Sequence, residues 1–528
     1  MTKTVTGPAR SYAQDLPAGL VVFLVALPLC LGVALASTGR ADLLFTGLVA
    51  GVVGGVVVGA LSGSAVGVSG PAAGLVTIVL TAIQTIGSYE SFLVAVVLSG
   101  VLQLIAGFAR AGVIAHYFPS SVIKGMLAAI GLTLILKQIP HALGIDSDYM
   151  GDEAFAQRDG RNTFSELSHA LGHSSLGAVI IAALSILTLV AFDSRMAKAV
   201  KALKYIPGAL VVVLLGVGVN ALFAALAPDL AMADAHLVQL PVARSLGDVL
   251  GLVQQPDFSA LSNPDVWGVA LTLAVVASLE TLLSVEATDK LDPLRRVTPT
   301  DRELKAQGAG NIVSGLLGGL PVTQVIVRST ANVNAGGISR VATITHGVIL
   351  GGAVLAVPEA LNLIPLSTLA AILLMTGYKL SKPSLYRSVF RLGYDQFIPF
   401  IVTVAGILLT DLLRGIGLGM AMAAYFILLR AYRDRHRELR TRQPDGTLKV
   451  EIALTESNTF LHKGSLLRTL EELPDGCSVV VHTRNTTRVD HDVLELLEDF
   501  RNHRAPARNI QVAILEDLPS YAMPRPNV

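Results

Sequence analysis

Cysteine, tryptophan and charge are all scarce in this chain of 528 residues. It has two cysteines, Cys30 and Cys477, and one tryptophan, and charged residues make up only 15% of it. The cysteines lie far apart, one inside an apolar run, so the sequence excludes a disulfide framework. An average soluble domain is about 25% charged, so the composition disfavours a soluble protein. The net charge of +1 gives no preference for a charged partner such as nucleic acid.

Apolar sequence dominates instead, at 52% of the chain. Many apolar runs approach the ~20 residues that span a bilayer, and they are rich in glycine, which is typical of helices that pack closely in lipid. We predict an α-helical polytopic membrane protein with 14 transmembrane segments. Their cores lie near residues 16–36, 43–61, 71–86, 92–108, 122–136, 176–192, 206–226, 266–284, 309–320, 322–333, 341–357, 365–378, 397–413 and 416–429.

The charge of the loops predicts the orientation of these segments. Basic loops follow segments six, eight and twelve, whereas acidic loops follow segments five and seven. Since cytoplasmic loops carry an excess of Lys and Arg, both termini are expected in the cytoplasm, with the protein in the inner (cytoplasmic) membrane. The basic residues after segment six are Arg195, Lys198, Lys201 and Lys204.

Two short segments are interrupted by glycine and proline at matching positions. The third opens with Ser69, Gly70 and Pro71, and the tenth with residues 319–323, which include Pro321. They lie seven segments apart, an odd number, so the second half would be inverted in the membrane. Such a pair points to 7+7 inverted repeats with a binding site between them. The alternative is two ordinary helices with a proline near each N-terminus.

Arg328 lies in the tenth segment, within sequence that must cross or enter the membrane. A cation buried there is costly unless it faces a partner or a water-filled cavity, so Arg328 is a candidate anion-binding residue. The N-terminus of a half-helix adds free backbone N–H groups and a positive dipole end. The N–H groups expected at the site are those of Val325, Ile326, Val327, Ala72 and Ala73. The alternative is that Arg328 extends to the membrane surface.

Glu280 is a carboxylate inside the eighth segment, and Ser284 lies on the same helix face at the i+4 position. One interpretation is a structural pair with Arg328. The other is an ion-coupling site for a proton or another cation, and the two are compatible. His346 also lies in an apolar run, where a single histidine is more often packed than a ligand. His482 and His491 belong to the C-terminal domain, and neither has the spacing of a metal site.

The character of the chain changes after Leu429. Residues 430–442 are basic, and strands near 449–454, 478–481 and 510–514 alternate with helices near 466–473 and 493–500, which predicts a small α/β domain. We assign residues 1–14 to a cytoplasmic N-terminal segment and residues 15–430 to a transmembrane anion transport domain. Residues 431–446 are assigned to a basic linker and 447–528 to a cytoplasmic domain.

These residues together resemble the SulP family of anion transporters, the relatives of prestin and pendrin, over nearly the whole chain. The similar motifs, in order, are Asp15 to Gly19 with Pro28, Ser69 to Pro71, Glu280 to Ser284, and Arg328 with Ser329. The resemblance implies a core domain and a gate domain, a STAS-like C-terminal domain, and a homodimer. It also implies that Leu29 and Ser329 join Arg328 at the substrate site.

The resemblance leaves the anion between bicarbonate and sulfate. Leu29 after a proline is similar to the bicarbonate branch, since sulfate-type members tend to have Gln there. Glu280 and Ser284 are similar to the Asp and Thr that sodium-dependent bicarbonate transporters use for Na⁺. Arg328 instead matches prestin-like and many sulfate-type members, and a fixed arginine could replace sodium and leave Glu280 to carry a proton.

We therefore expect that the protein is not an enzyme and has no cofactor. The expected coupling ion is a proton, with Na⁺ as the alternative. The expected function is secondary transport of a small inorganic anion, with bicarbonate preferred. The alternatives are symport or exchange of sulfate, another oxyanion or a dicarboxylate, and a membrane scaffold or sensor that does not transport. Membrane lipid, a cytoplasmic regulatory protein and carbonic anhydrase are the partners that fit this expectation.

Overall fold

The structure is a computed structural model that describes residues 8–146, 155, 162–193, 207–240, 247, 251–433, 436–444, 446–455, 457–458, 460–483 and 488–515. The chain divides into two compact units, residues 1–420 and 421–528. The predicted basic loop with Arg195, Lys198, Lys201 and Lys204 lies outside the described residues.

The first unit is built from apolar helices. Eight helices among the described residues are long and apolar enough to cross a membrane, and shorter apolar helices cover Ala73–Ile86, Arg340–Ala356 and Tyr394–Leu409. The helices are α1 Pro8–Thr38, α2 Leu44–Leu61, α3 Val76–Ile86, α4 Tyr89–Phe108, α5 Ser120–Ala142, α6 Thr163–Gly172, α7 Leu176–Asp193, α8 Gly208–Leu226, α9 Pro264–Leu291, α10 Thr300–Leu316, α11 Ile326–Asn334, α12 Arg340–Ala356, α13 Leu366–Leu380, α14 Pro383–Phe390, α15 Tyr394–Leu409 and α16 Leu412–Arg433.

A helix is present in each of the fourteen predicted segments, and the number that cross the membrane stays a prediction. α1 begins at Pro8, so part of the predicted N-terminal segment 1–14 is helical. The apolar pattern alone missed this start because the first residues of α1 are largely polar.

Two short strands lie in the first unit, one at each predicted break. β1 (Ser69–Pro71) pairs antiparallel with β2 (Val322–Gln324), and Gly70 lies opposite Thr323. Each strand leads directly into a helix: β1 into the 3₁₀ turn Ala73–Leu75 and then α3, and β2 into α11. The strand pair therefore brings the N-termini of two helices together inside the helical unit.

Polar side chains from α10 fix both strands. Asn311 accepts a hydrogen bond from the backbone N–H of Val322 at 2.6 Å and donates to the carbonyl of Val322 at 3.0 Å. Gln307 donates from Nε2 to Oγ of Ser69 at 2.7 Å and to Oε1 of Glu303 at 3.0 Å. Buried hydrogen bonds of this kind restrict the backbone that they hold, so α10 helps to set the position of both helix starts.

The second unit contains the C-terminal half of α16 and a small α/β domain. Its main sheet has the order β3 Arg437–Arg442, β4 Leu448–Ala453, β6 Ser478–His482 and β8 Gln511–Leu515, antiparallel at β3 and parallel elsewhere. Helices α17 Phe460–Glu471 and α18 His491–Asp499 overlap the two helices that the sequence predicts in this domain. A second, two-stranded sheet pairs β5 Ser457–Asn458 with β7 Arg488–Val489. Val450, Leu466 and Val479 lie in a common apolar core.

β3 lies inside residues 431–446, which the sequence analysis assigned to a linker. All six of its residues are exposed, and three of them are arginines. Charged residues are typical of an edge strand that must not pair with other chains, but they give no apolar alternation that a sequence pattern could detect. The sheet thus begins earlier than predicted.

Candidate anion-binding site

Arg328 is the third residue of α11 and one of the largest fully buried side chains, with only 1% of its surface exposed. Burial excludes the alternative that it extends to the membrane surface. Its Nη2 donates to the carbonyl oxygen of Pro71 at 3.4 Å, whereas Nε and Nη1 have no hydrogen-bond partner among the described residues. A guanidinium donates hydrogen bonds and never accepts them, so the two remaining donors suit an anion.

Gly70 makes room for this guanidinium. A Cβ placed on Gly70 would overlap Nη1 of Arg328. The glycine of the predicted break is therefore needed because the arginine occupies the space where any other side chain would begin. β1 and Arg328 come from opposite halves of the chain, so the site combines the two predicted repeats.

Backbone groups at the start of α11 point to the same region. The amides of the first helical turn have no partner four residues earlier, and Ser329 supplies the first internal bond, from its N–H to the carbonyl of Val325 at 3.0 Å. The amides of Ile326, Val327 and Arg328 therefore remain available at the positive end of the helix. Ala72 precedes the facing turn, in which Ala73 and Gly74 are the first residues.

Two predicted site residues have structural partners instead. The N–H of Val325 donates to the carbonyl of Val68 at 2.9 Å, because the chain is still extended there and continues the strand pairing. Oγ of Ser329 accepts from the N–H of Val68 at 3.0 Å and donates to the carbonyl of Val325 at 2.8 Å. Both groups hold α11 in place, and the N–H of Val325 is not free for an anion.

Glu280 and Ser284 lie in α9 and are buried. A Cβ placed on Gly74 would lie 2.9 Å from Oε1 of Glu280, so the carboxyl group lies against the first turn after β1. α9 is tied to β2 as well, because Gln324 donates from its N–H to Oγ1 of Thr281 at 3.4 Å. Arg328 and Glu280 therefore approach the same turn, one at Gly70 and the other at Gly74.

Cys30 of α1 is a further neighbour of Arg328 that the sequence analysis did not assign. A Cβ placed on Gly51 of α2 would lie 2.6 Å from Sγ of Cys30 and 3.9 Å from Nη1 of Arg328. Leu29 is buried beside it in α1, and its role at the site stays a prediction. The signal for Cys30 was weak, since a single cysteine in an apolar run resembles any small packed residue.

The residues 12–403 match the model of the Sulfate permease family. The chain belongs to this family. Its members are membrane anion transporters and not enzymes, so the predicted resemblance is confirmed, and the protein is a multi-pass membrane protein of a transporter family. The family leaves the anion and the coupling ion open.

Two curated relatives and one solved structure illustrate the match. "Putative sulfate transporter YvdB" of Bacillus subtilis (strain 168) is 27% identical over 423 residues, 80% of this chain and 74% of the relative. "Bicarbonate transporter BicA" of Picosynechococcus sp. is 24% identical over 456 residues, 85% of this chain and 75% of the relative.

The solved structure, of SLC26A9, matches with a TM-score of 0.66 and 16% identity, and the match covers 96% of this chain and 85% of that one. At this identity the likeness shows the fold alone. It confirms a mainly helical membrane transporter fold, and the small C-terminal sheet is consistent with a STAS domain.

Proposed function

We propose that this member of the sulfate permease family is a secondary active transporter that carries bicarbonate. The observation that supports it most is Arg328, a fully buried cation with two unused donors at the N-terminus of α11. The facing turn adds the backbone N–H groups of Ala73 and Gly74, whereas the N–H of Leu75 donates to the carbonyl of Ala72 at 3.2 Å. Fixed donors around a small space are the arrangement that small anions need.

The same proposal includes fourteen spans in 7+7 inverted repeats. The antiparallel pairing of β1 with β2 supports it, since an axis in the membrane plane relates two inverted halves and makes their equivalent strands run in opposite directions. With the basic loops in the cytoplasm, both termini lie there too. We propose the inner membrane as location and a homodimer as the assembly.

Glu280 is the proposed coupling residue, with Ser284 beside it. The carboxyl group adjoins the turn at Gly74 that would hold the anion, so binding of a cation at Glu280 would favour binding of an anion nearby. A proton is our first choice, since Arg328 already supplies a fixed positive charge; Na⁺ is the alternative. The STAS-like tail would regulate or assemble the transporter, and carbonic anhydrase would suit a bicarbonate carrier as cytoplasmic partner.

Sulfate is the second candidate. YvdB, at 27% identity, carries a name that points to sulfate, whereas BicA, named for bicarbonate, is 24% identical. Arg328 would also attract a divalent anion more strongly than a monovalent one. The geometry of two opposed helix starts fits both anions, so the choice depends on measurement.

Uptake by the purified full-length protein in liposomes tests the proposal. Radiolabelled bicarbonate and sulfate are compared, with chloride and dicarboxylates as competitors, with and without Na⁺ and a pH gradient. Alkaline buffer keeps most inorganic carbon out of the permeant CO₂ form. We expect saturable bicarbonate uptake above that of empty vesicles; saturable uptake of sulfate alone would make sulfate the substrate, and no uptake of any anion would favour the scaffold or sensor.

A further inference from the structure

His346 is a buried polar side chain without a structural task. It lies in α12 with 0% of its surface exposed, and neither ring nitrogen has a hydrogen-bond partner among the described residues. Leaving a buried polar group unsatisfied costs stability. The apolar sequence around His346 predicts a packed histidine, but a packed imidazole normally forms a hydrogen bond through at least one nitrogen.

The contacts of α12 show which way this side chain faces. Thr343, three residues earlier, donates from Oγ1 to the carbonyl of Gly67 at 2.9 Å, just before β1. Leu350, four residues later, reaches the position where a Cβ on Gly51 would lie, at 2.7 Å. Residues at these spacings share one helix face, so His346 lies on the face that packs against α2 and the approach to β1.

Arg328 borders the same face. Its Nη1 is 3.9 Å from the Cβ position of Gly51, the glycine that Leu350 contacts. Among the described residues, three donors in this region therefore have no partner: Nε and Nη1 of Arg328 and an N–H of His346. An imidazole carries at least one N–H in either protonation state.

We propose that His346 positions the transported anion by donating a hydrogen bond to it beside Arg328. This inference rests on the proposed function and deepens it by adding a residue that sets affinity and selectivity. An oxyanion has separate oxygen atoms for the guanidinium and the imidazole, whereas a halide has one atom for both. His346 therefore favours oxyanions over chloride.

The test compares the transport kinetics of His346→Phe, His346→Leu and His346→Gln with wild type in liposomes, using radiolabelled bicarbonate and sulfate. His173→Phe, at an exposed histidine outside the site, is the matched control. The two apolar variants should raise KM for the transported oxyanion roughly tenfold, the scale of a hydrogen bond to a charged group. Chloride should inhibit them relatively better, and Gln, which keeps a donor, should restore part of the affinity.

The possible results separate the role of His346 from the proposed transport function. An unchanged KM in whichever apolar variant is recovered folded, with wild type and His173→Phe both active, overturns the role of His346 and leaves the proposed function intact. Equal losses for chloride competition and oxyanion uptake overturn the selectivity. Absence of saturable uptake by wild type overturns the proposed function and this inference with it.

Discussion

Replacing Gly70 by alanine should weaken anion binding without unfolding the protein. Gly70 is not among the glycines with positive φ, so its backbone accepts alanine. The new Cβ would overlap Nη1 of Arg328, and the long arginine side chain is the group that can move. The substitution therefore displaces the guanidinium and removes no charge.

The expected effect follows from the hydrogen bond that the displaced Nη1 would no longer make. A hydrogen bond to a charged group contributes about 1.5–3 kcal/mol, which corresponds to a roughly 10- to 150-fold rise in KM. The assay is saturable uptake in liposomes, with Gly218→Ala as control because a Cβ there meets nothing within 4 Å. Adding Gly70→Ala to the Arg328→Ala variant should cause no further loss of uptake, since the effects of substitutions at two residues that act together are not additive. An unchanged KM in Gly70→Ala would refute the placement of the guanidinium.

Three further predictions concern coupling and the tail. Glu280→Gln mimics the protonated acid and should flatten the dependence of uptake on a pH gradient. The control Glu286→Gln, in the same helix, should keep that dependence. A requirement of the wild-type protein for Na⁺ at fixed pH would refute proton coupling. Deleting residues 434–528, which removes the whole sheet including β3, should lower the transport rate, the assembly or the expression of the protein while its anion selectivity stays the same. An altered anion preference would show that the tail helps to build the site. Burial raises the pKa of the Cys477 thiol, so the folded protein should contain less of the reactive thiolate at this residue. Iodoacetamide should therefore alkylate Cys477 slowly until the protein is denatured, as measured by peptide mapping. Rapid labelling of Cys477 in the folded protein would contradict this prediction.

The elements of the candidate site could be predicted because glycine, proline and charge are unusual in membrane-spanning sequence. A charge such as Arg328 in apolar sequence needs a reason, and so do glycine and proline at matching points of two halves. The pairing of Gly70 with Thr323 then follows the expected meeting of the two breaks.

Other parts of the site depend on contacts that no local pattern contains. The N–H of Val325 is used by Val68, which is 257 residues earlier, so its availability could not be predicted from the helix start alone. His346 could be predicted as buried, but only the packing of α12 on α2 shows that it lies on the face that Arg328 borders. β3 could not be predicted because it is an exposed strand of largely charged residues, which has no alternation of apolar and polar residues.

The KM of anion uptake by Arg328→Ala, compared with Arg414→Ala in the same liposomes, tests the central claim most directly. Arg414 is an exposed arginine paired with Asp411, so its loss removes the same charge away from the site. We predict that Arg328→Ala loses most saturable uptake while the folded protein is recovered, and that Arg414→Ala transports like wild type. An unchanged KM in Arg328→Ala would contradict the account.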